Sequence, residues 1–372
     1  MPFFLKHHFD PDFNHLDIKP KVRGNERVDH LNRDYVQNVV IGQILAELIQ
    51  IADDEAGRHD PRFILEQPVF PVGANTEVDP GNVNLLLAAA NGYVYYDPDE
   101  RISVKTLLNV RRDVDYATGN ISFVGDVVVH GSVRSGFKVK GRNILVKGTV
   151  EAASLDASQS IRVEAGIKGD KQAELKAKNS IKVKFCENAL ISAGKNVLVE
   201  SVCLHCKVLA GNALAVGDRL IGGEVVCGRL VRVGAQLGGG VSTTTTISLG
   251  YDPFLMQKIN DMESTIRTLK ARRESLGARN KQSQAEAKLI GELDHKLSVL
   301  EKQRFACSER ISASDLASCA VIVPGQIRPG VELSIGQAFL PISDSVSNVN
   351  LTLRDGEIEV TSPAEPKKEK AS

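Results

Sequence analysis

A short pattern recurs seven times between residues 124 and 235, and it constrains the fold more than any other feature of the sequence. Each copy has a small or polar pair, often with glycine, followed by an apolar–x–apolar triplet. On this alignment the first apolar positions are 128, 144, 161, 181, 197, 214 and 230, so the steps are 16, 17, 20, 16, 17 and 16. A regular internal period indicates a structure assembled from stacked, equivalent units.

Each triplet predicts a short strand with one buried face, because its apolar residues alternate with period 2. A repeat of about 17 residues is too short for pairs of helices. Stacked coils would join the inner side chains into one narrow core. The sequence therefore predicts a mainly β protein built on a right-handed parallel β-helix, or solenoid. A β-sandwich is the alternative, since its strands also recur with regular turns, whereas a left-handed hexapeptide helix does not fit the observed steps.

Composition agrees with a narrow core. The chain of 372 residues has no Trp, only 5% aromatic residues and 31 Gly. The one long step of the repeat contains Gly166 to Gln172, which is predicted to be a loop inserted into one coil.

Residues 252–312 change to helical composition. Ile259, Met262, Ile266, Leu269 and Leu276 follow a heptad spacing, and a second stripe continues through Leu289, Leu293, Leu297 and Leu300. Gly277 and Asn280 lie between the stripes and would end a helix. We expect an antiparallel coiled-coil hairpin inserted into the solenoid; the alternative is one unbroken helix that dimerises with a second chain.

The remaining segments complete a five-part organisation. Residues 1–115 predict a small α+β domain, with an amphipathic helix from Asp34 to Ile51 and a last strand at Ile102 to Val104. The solenoid occupies 116–251, the helical insertion 252–312, and strands that return to the solenoid 313–361. The polar tail at 362–372 is expected to be disordered.

The charge balance and the apolar segments of the sequence limit the classes of partner and the cellular location that can be expected. Lys and Arg total 46, equal to Asp and Glu, so nothing suggests nucleic-acid binding. No apolar stretch is long enough to span a membrane, and no secretory signal is expected because the first eight residues lack its apolar core. Cytoplasmic location and reduced cysteines are therefore expected.

The motifs that suggest chemistry each have a simpler explanation. Cys203 and Cys206 have a metal-ligand spacing, and Cys186 lies about one coil earlier, but small cysteines also fill a thin core. The glycine-rich run 237–244 lacks the Lys of a phosphate-binding loop. The N-terminal group of His7, His8, Asp10, Asp12 and His15 is taken as a chance cluster, and the acidic turn at 97–100 as solvated. No catalytic, cofactor or metal site is predicted.

Four segments, in this order, resemble the flagellar assembly protein A (FapA) family. They are Gly119-Asn-Ile-Ser-Phe-Val-Gly-Asp-Val127, Leu220-Ile-Gly-Gly-Glu224, Thr246-Ile-Ser-Leu-Gly-Tyr-Asp-Pro253 and Gly325-Gln-Ile-Arg-Pro-Gly-Val331. The resemblance implies a bacterial cytoplasmic protein whose β-helix is interrupted by a coiled coil. It also implies a role in polar flagellar assembly, with cell-pole or flagellar proteins as partners.

The expected function is that of a non-enzymatic scaffold or adaptor, acting alone or as a small homo-oligomer. The helical stripe is the candidate partner-binding element, through Ile259, Ile266, Leu269, Leu289, Leu293, Leu297 and Leu300. Two other functions stay open at this point: a bactofilin-like cytoskeletal polymer, because stacked coils expose strand edges, and an enzyme or small-ligand binder.

Overall fold

The computed structural model describes residues 2–13, 21–23, 27–29, 31, 35–277, 284–309 and 316–362. The chain divides into two compact units, Met1–Leu190 and Ile191–Ser372. This division falls within the repeat region, whereas the organisation predicted from composition places its boundaries at the ends of the repeat and of the helical segment. Each unit is described separately. The predicted tail lies, apart from Ser362, outside the described residues.

The first unit begins with antiparallel strands. The strands are β1 Phe3–His7, β2 Lys21–Arg23, β3 Arg27–Asp29, β4 Asn38–Val39, β5 Ile44–Gln50, β6 Ile64–Leu65, β7 Thr76–Asp79, β8 Asn82–Ala88, β9 Gly92–Tyr96 and β10 Ile102–Lys105. Five of them form one sheet in the order β6-β1-β5-β8-β7, three form a second sheet in the order β10-β9-β4, and β2 pairs with β3. Two short 3₁₀ turns at Ala56–Arg58 and Pro61–Phe63 precede β6.

The helix predicted from Asp34 to Ile51 is wrong, because this segment forms β4 and β5. Gly42 takes a φ of +79° in the turn between the two strands. A β-bulge between Ile44 and Ala46 turns Leu45 and Ala46 both inward, so the buried residues lose the period of 2 that identifies a strand. The resulting spacing imitates that of an amphipathic helix. The strand predicted at Ile102 to Val104 is confirmed as β10.

The remaining strands of the first unit run parallel and form its solenoid coils. One coil consists of three short strands separated by turns, Ile144–Val146, Thr149–Val150 and Ser154–Ala157, and the next coil begins at Ile161. The strands are β11 Leu107–Val110, β12 Ile121–Ser122, β13 Asp126–Val129, β14 Lys138–Gly141, β15 Ile144–Val146, β16 Thr149–Val150, β17 Ser154–Ala157, β18 Ile161–Val163, β19 Gly166–Ala177 and β20 Ile181–Val183; β21, Cys186–Ala193, crosses the boundary between the units.

Parallel pairing places one aliphatic side chain per coil in an inner column. Val127 pairs with Ile144, Ile144 with Ile161, and Ile161 with Ile181, and all four side chains are buried. This confirms the parallel β-solenoid and excludes the sandwich, whose sheets are antiparallel. The handedness of the coils stays a prediction.

The register corrects two of the predicted core positions. Val127, not Val128, lies in line with Ile144, and Val231, not Leu230, lies in line with Leu214. At both places aliphatic residues follow one another, so the triplet pattern alone cannot decide which of them faces the core. Because side chains alternate between faces, an error of one residue moves the predicted core residue to the outer surface. With the corrected phase, both steps equal 17.

The long step of the repeat is confirmed as an insertion. Val150 pairs with Ile167 at an offset of 17, but Ser154 pairs with Glu174 at an offset of 20. The additional chain therefore lies between Ile167 and Glu174, within β19. Asp170 and Lys171 take φ values of +45° and +58° there, so the chain turns inside a continuous strand.

The second unit continues the same construction. Val197 pairs with Leu214, and Leu214 with Val231, again at an offset of 17 and with all three side chains buried. The elements are β22 Asn196–Val199, β23 Val202–Ala210, β24 Ala213–Val216, β25 Arg219–Cys227, β26 Leu230–Val233, β27 Gln236–Leu237, β28 Thr245–Leu249, α1 Pro253–Gly277, α2 Gln284–Glu309, β29 Ala320–Ile327, β30 Val331–Ile335, β31 Ala338–Ile342, β32 Val346–Arg354 and β33 Glu357–Thr361; a 3₁₀ turn covers Leu316–Ser318.

Two insertions interrupt the coils of the second unit. The glycine-rich run is the smaller, because Leu220 pairs with Leu237 at an offset of 17 and Gly223 with Thr245 at an offset of 22. The larger contains both helices, after which Val321 in β29 pairs with Val231 at an offset of 90. The parallel ladder therefore resumes beyond the helices, as predicted.

The strands after β30 differ from the predicted returning coils. β31 pairs antiparallel with β30, β32 antiparallel with β29, and β33 antiparallel with β32. The turn from β30 to β31 reverses the chain at Gly336, whose φ is +58°. The parallel ladder thus ends in antiparallel strands that occupy the hydrogen-bonding edges of the last coil.

A left-handed backbone conformation recurs along the chain in both units. Lys171, Asn188, His205 and Gly222 have φ values of +58°, +49°, +49° and +67°, and each follows the one before by the same step of 17. A positive φ lets the strand change direction without a separate loop. The backbone φ angles therefore repeat with the same period of 17 residues as the buried core residues.

The N-terminal strands contact the first coil of their unit. The Asn38 side chain donates to the carbonyl oxygen of Ser122 at 2.8 Å and accepts from the backbone N–H of Val124 at 3.1 Å. The ring of Tyr93 lies 6.0 Å from that of Phe123. The N-terminal region therefore satisfies backbone groups beside β12 that would otherwise need solvent.

A substitution pair tests the corrected register. Val127 is 1% exposed and Val128 faces outward. Val127→Asp should destabilise the protein by about 3 kcal/mol or more because it buries an unpaired charge, whereas Val128→Asp should cost about 1 kcal/mol or less. Urea unfolding followed by the β signal in circular dichroism measures both, and a larger effect at 128 would contradict the register.

His7 gives a second test, in the N-terminal region. Its Nε2 lies 2.6 Å from the Tyr96 hydroxyl, and the rings of Phe9 and Phe63 pack against it. Burial, assisted by the positive charge of Arg62, lowers the pKa of His7 to about 4. Between pH 6.5 and about 4 the unfolded chain therefore binds a proton that the folded chain does not, so stability should fall as the pH falls through this window. His7→Gln should reduce that slope, measured by urea unfolding at several pH values; an unchanged slope would contradict the assignment.

Candidate functional site: the helical hairpin and its base

The first helix starts at a defined cap. The Asp252 carboxylate accepts hydrogen bonds from the backbone N–H groups of Phe254 and Leu255 at 2.9 and 3.4 Å, and Pro253 occupies the first helical position. Aspartate at the cap and proline after it are the residues a helix start favours. The segment Tyr251–Pro253 therefore ends the coil and begins α1 with no intervening loop.

The two helices pack on each other as an antiparallel hairpin, which excludes the single unbroken helix. α1 ends at Gly277, in the predicted break, and the seam between the helices buries one side of each. The buried seam residues are Ile259, Met262, Ile266, Leu293, Leu297 and Cys307. Leu255 and Leu300 pack against the part of the seam formed by Ile259, Met262 and Cys307.

The seven predicted partner-binding residues thus divide into two groups. Ile259, Ile266, Leu293 and Leu297 are buried in the seam, and Leu269, Leu289 and Leu300 are partly exposed at its margins. Side chains already buried between two helices hold the hairpin together. Any part that they have in partner binding would come through the fold of the hairpin.

Ion pairs between the helices fix their register. Lys270 lies 2.8 Å from Glu301, and Arg304 lies 3.3 Å from Glu263. The hydrogen bond from Lys270 holds the pKa of Glu301 below its usual value. All four side chains are well exposed, so these pairs contribute more to alignment than to stability.

The outer surface of the hairpin has apolar residues that the heptad pattern does not identify. Phe305 is 60% exposed, Val299 is 40% exposed, and Phe254 is 38% exposed. Residues at heptad spacing are those of the seam between the helices, so an aromatic residue outside this stripe does not belong to the pattern. The available signal was the isolated large aromatic in an otherwise charged segment, since exposed aromatic residues are enriched in protein interfaces.

A cleft of about 530 Å³ lies at the base of the hairpin. Its floor is a column of Gly194, Gly211 and Gly228, in which a Cβ on either of the last two would collide with the carbonyl oxygen of the preceding glycine. Arg229, Tyr251 and other residues of the turns and of the start of α1 form its sides. Close backbone approach therefore makes room for a concave surface between the turns and α1.

The cysteines and the acidic and N-terminal groups noted in the sequence are buried or form local hydrogen bonds and ion pairs. The six cysteines are all buried, and burial raises the pKa of Cys227. Asp97 accepts hydrogen bonds from the backbone of Asp99 and Arg101 and from the hydroxyl of Ser103, so it organises its turn. Asp12 is paired with Arg62 at 2.8 Å, and His15 lies outside the described residues.

These features define a parallel β-solenoid protein with a helical hairpin inserted before its last coil. A family model described as the Flagellar Assembly Protein A (FapA) beta solenoid domain matches residues 106–358, more than half of the chain. The protein belongs to this family. No curated protein and no solved structure matches the chain. Within the described residues, no helix has the length and apolarity needed to cross a membrane.

A charge placed in the seam tests the role of the buried leucines. Leu293 is 4% exposed, so Leu293→Asp should destabilise the hairpin by about 3 kcal/mol while the solenoid keeps its β signal. His295→Asp adds the same charge on the exposed side of α2 and serves as the control. Circular dichroism during thermal unfolding measures the helical and β signals; equal effects of the two substitutions would contradict the seam.

Proposed function

We propose that the protein is a non-enzymatic scaffold or adaptor in bacterial flagellar assembly, acting in the cytoplasm through contacts with flagellar or cell-pole proteins. The family match over residues 106–358 carries the proposal, because it includes both helices and the coils around them. The structure adds a reason to expect binding: the hairpin offers exposed apolar residues on a defined support.

The hairpin is the proposed docking element. Its seam residues keep α1 and α2 in register, and Phe305 and Val299 lie on the outer surface of α2. Aromatic side chains that are exposed on a rigid element lose little conformational entropy on binding, so they are suited to anchor a partner. In this division of roles, the solenoid supports the hairpin and the hairpin selects the partner.

A discrete particle is proposed over a bactofilin-like polymer. Polymerisation through stacked coils needs a free strand edge. In the second unit, β31 and β32 occupy edges of the last coil with antiparallel pairing. In the first unit, the Asn38 side chain forms hydrogen bonds with backbone groups in and beside β12. Filaments in electron micrographs of the purified protein would favour the polymer.

Substitution of one exposed residue tests the docking role. In a flagellated host that depends on this protein, Phe305→Asp should reduce the number of flagellated cells at unchanged protein level, because it places a charge in the proposed contact. Gln303→Asp adds the same charge at a nearby exposed position and should have little effect. Electron microscopy of cells, with immunoblots for protein level, measures the outcome.

Replacing residues 253–312 with a short Gly/Ser linker gives the stronger form of the test. Flagellation and capture of flagellar proteins should both be lost while the purified protein keeps its β signal. Normal flagellation by this variant would reject the hairpin as the docking element. Normal flagellation in a strain that lacks the whole protein would reject the role in assembly.

A further inference from the structure

β33 is the last strand of the second unit and lies at an edge of its sheet. In the described residues it pairs with β32 alone, in a register that runs from Arg354–Glu357 to Asn350–Thr361. Its other edge therefore has backbone N–H and C=O groups with no strand partner. An edge of this kind is a template for a further strand unless proline, charge or a covering segment blocks it.

The turn between β32 and β33 decides which backbone groups face the free edge. Asp355 and Gly356 form a two-residue turn with φ values of +49° and +86°, as in a type I′ turn. The two residues that flank such a turn exchange both of their hydrogen bonds, and bonded pairs then alternate with unbonded pairs along the ladder. The backbone groups of Ile358 and Val360 therefore point away from β32, to the free edge.

The coil beneath the hairpin gives the same result independently. The N–H of Ala320 donates to the carbonyl oxygen of Arg229 at 3.0 Å, so Ala320 faces β26 and the next residue, Val321, faces β32. Val321 pairs with Leu351, which therefore uses its backbone groups on β29. The backbone groups of Val360, the partner of Leu351 in β33, are then left for the free edge.

β31, the other strand added to the last coil, cannot offer such an edge. It is joined to β30 by the two-residue turn of Gly336 and Gln337, so by the same alternation the backbone of Pro341 faces away from β30. Proline has no N–H, and the donor that an added strand needs is missing there. β33 contains no proline, so of these two strands it is the one with an open edge.

One column of core residues in the second unit also ends at β33. Val231 pairs with Val321, Val321 with Leu351, and Leu351 with Val360. The first three are at most 1% exposed, whereas Val360 is 45% exposed. A strand added to β33 places an aliphatic side chain beside Val360 and continues the column by one layer. Burial of apolar surface and pairing of the backbone thus favour the same position.

The opposite face of β33 is acidic. Glu357 and Glu359 alternate with the aliphatic residues and are exposed, and Asp355 is exposed in the adjoining turn. Arg354 lies 3.1 Å from Glu359 and balances one of these three carboxylates. A basic side chain at the opposed position of an added strand forms a favourable cross-strand pair with such a residue.

The same charges argue against a second copy of this chain as the added strand. Two antiparallel β33 strands can align Ile358 with Ile358 or with Val360 only by placing glutamates opposite each other across the new edge. Like charges directly opposite destabilise a sheet. An open edge at β33 is therefore compatible with the discrete particle proposed above.

We propose that the free edge of β33 binds an extended segment of another protein in which aliphatic and basic residues alternate. The segment forms backbone hydrogen bonds with Ile358 and Val360, and its aliphatic side chains cover the same two residues. Its basic side chains lie opposite Glu357 and Glu359. This is recognition by β-strand addition. The surface uses no residue of the helical hairpin, so it is a second docking site that stands apart from the proposed function.

Peptide binding to the full-length protein tests the edge. The probe is a short fluorescent peptide of alternating lysine and valine, and fluorescence anisotropy measures its dissociation constant. We expect saturable binding to the wild type. The same peptide with glutamate in place of lysine should bind more weakly by about tenfold or more. A lysine–valine peptide with methylated backbone nitrogens should not bind, because it cannot donate hydrogen bonds to the edge.

Two substitutions at one position separate the backbone from the side chain. Val360→Pro removes an N–H that faces the free edge and no hydrogen bond to β32, so the protein should keep its β signal in circular dichroism and bind the peptide more weakly by about tenfold or more. Val360→Ile keeps the N–H and an aliphatic side chain and should bind as the wild type does. The double variant Glu357→Lys/Glu359→Lys should prefer the glutamate peptide.

Several outcomes would overturn the proposal: no saturable binding by the wild type, equal binding by Val360→Pro and Val360→Ile, or equal affinity for the lysine and glutamate peptides. A wild-type dimer in analytical ultracentrifugation that Val360→Pro abolishes would identify a second copy as the occupant and overturn it too. Should Val360→Pro lose its β signal, the methylated peptide on the wild type decides, since binding equal to that of the unmethylated peptide would reject pairing through the backbone.

Discussion

The in-register parallel ladder is the interaction on which the rest of the structure depends. Each coil is too short to bury its own aliphatic side chains, so Ile144 is buried only because Val127 and Ile161 lie directly beside it. Ladder hydrogen bonds set the spacing between coils, and the inner columns exclude water. A constant coil length satisfies both requirements at once, which is why the departures from it take the form of discrete insertions.

The insertions are the departures of this chain from a regular solenoid. A ladder of this kind tolerates additional chain at a turn, because the residues on each side can still pair with the preceding coil. Val231 and Val321 remain partners although both helices lie between them in the chain. The hairpin therefore begins and ends on the same support, and its own seam fixes its form. The proposed docking role therefore follows from a local addition to a regular structure.

How far the sequence predicts the molecule depends on how local the pattern is. The period, the parallel strands and the helical break at Gly277 could be predicted because each depends on a pattern of residues close together in the sequence. The phase at Val127 and Val231 was not, since consecutive aliphatic residues fit two registers and only cross-strand pairing selects one. The helix prediction for residues 34–51 was wrong for a related reason, because the bulge at Leu45 gives the buried residues of a strand the spacing of a helix. The exposure of Phe305 could not be predicted from the heptad spacing, because that spacing identifies only the residues between the two helices.

The sequence by itself determined the solenoid, the position of the helical insertion and the family resemblance. These features depend on periodicity and composition, which do not need long-range contacts to be recognised. Tertiary structure alone decided which aliphatic residue of each run faces inward, how antiparallel strands end the ladder and where the backbone turns within a strand. Each of these depends on the pairing of segments distant in the chain, or on a backbone angle such as that of His205, and neither is encoded in local alternation.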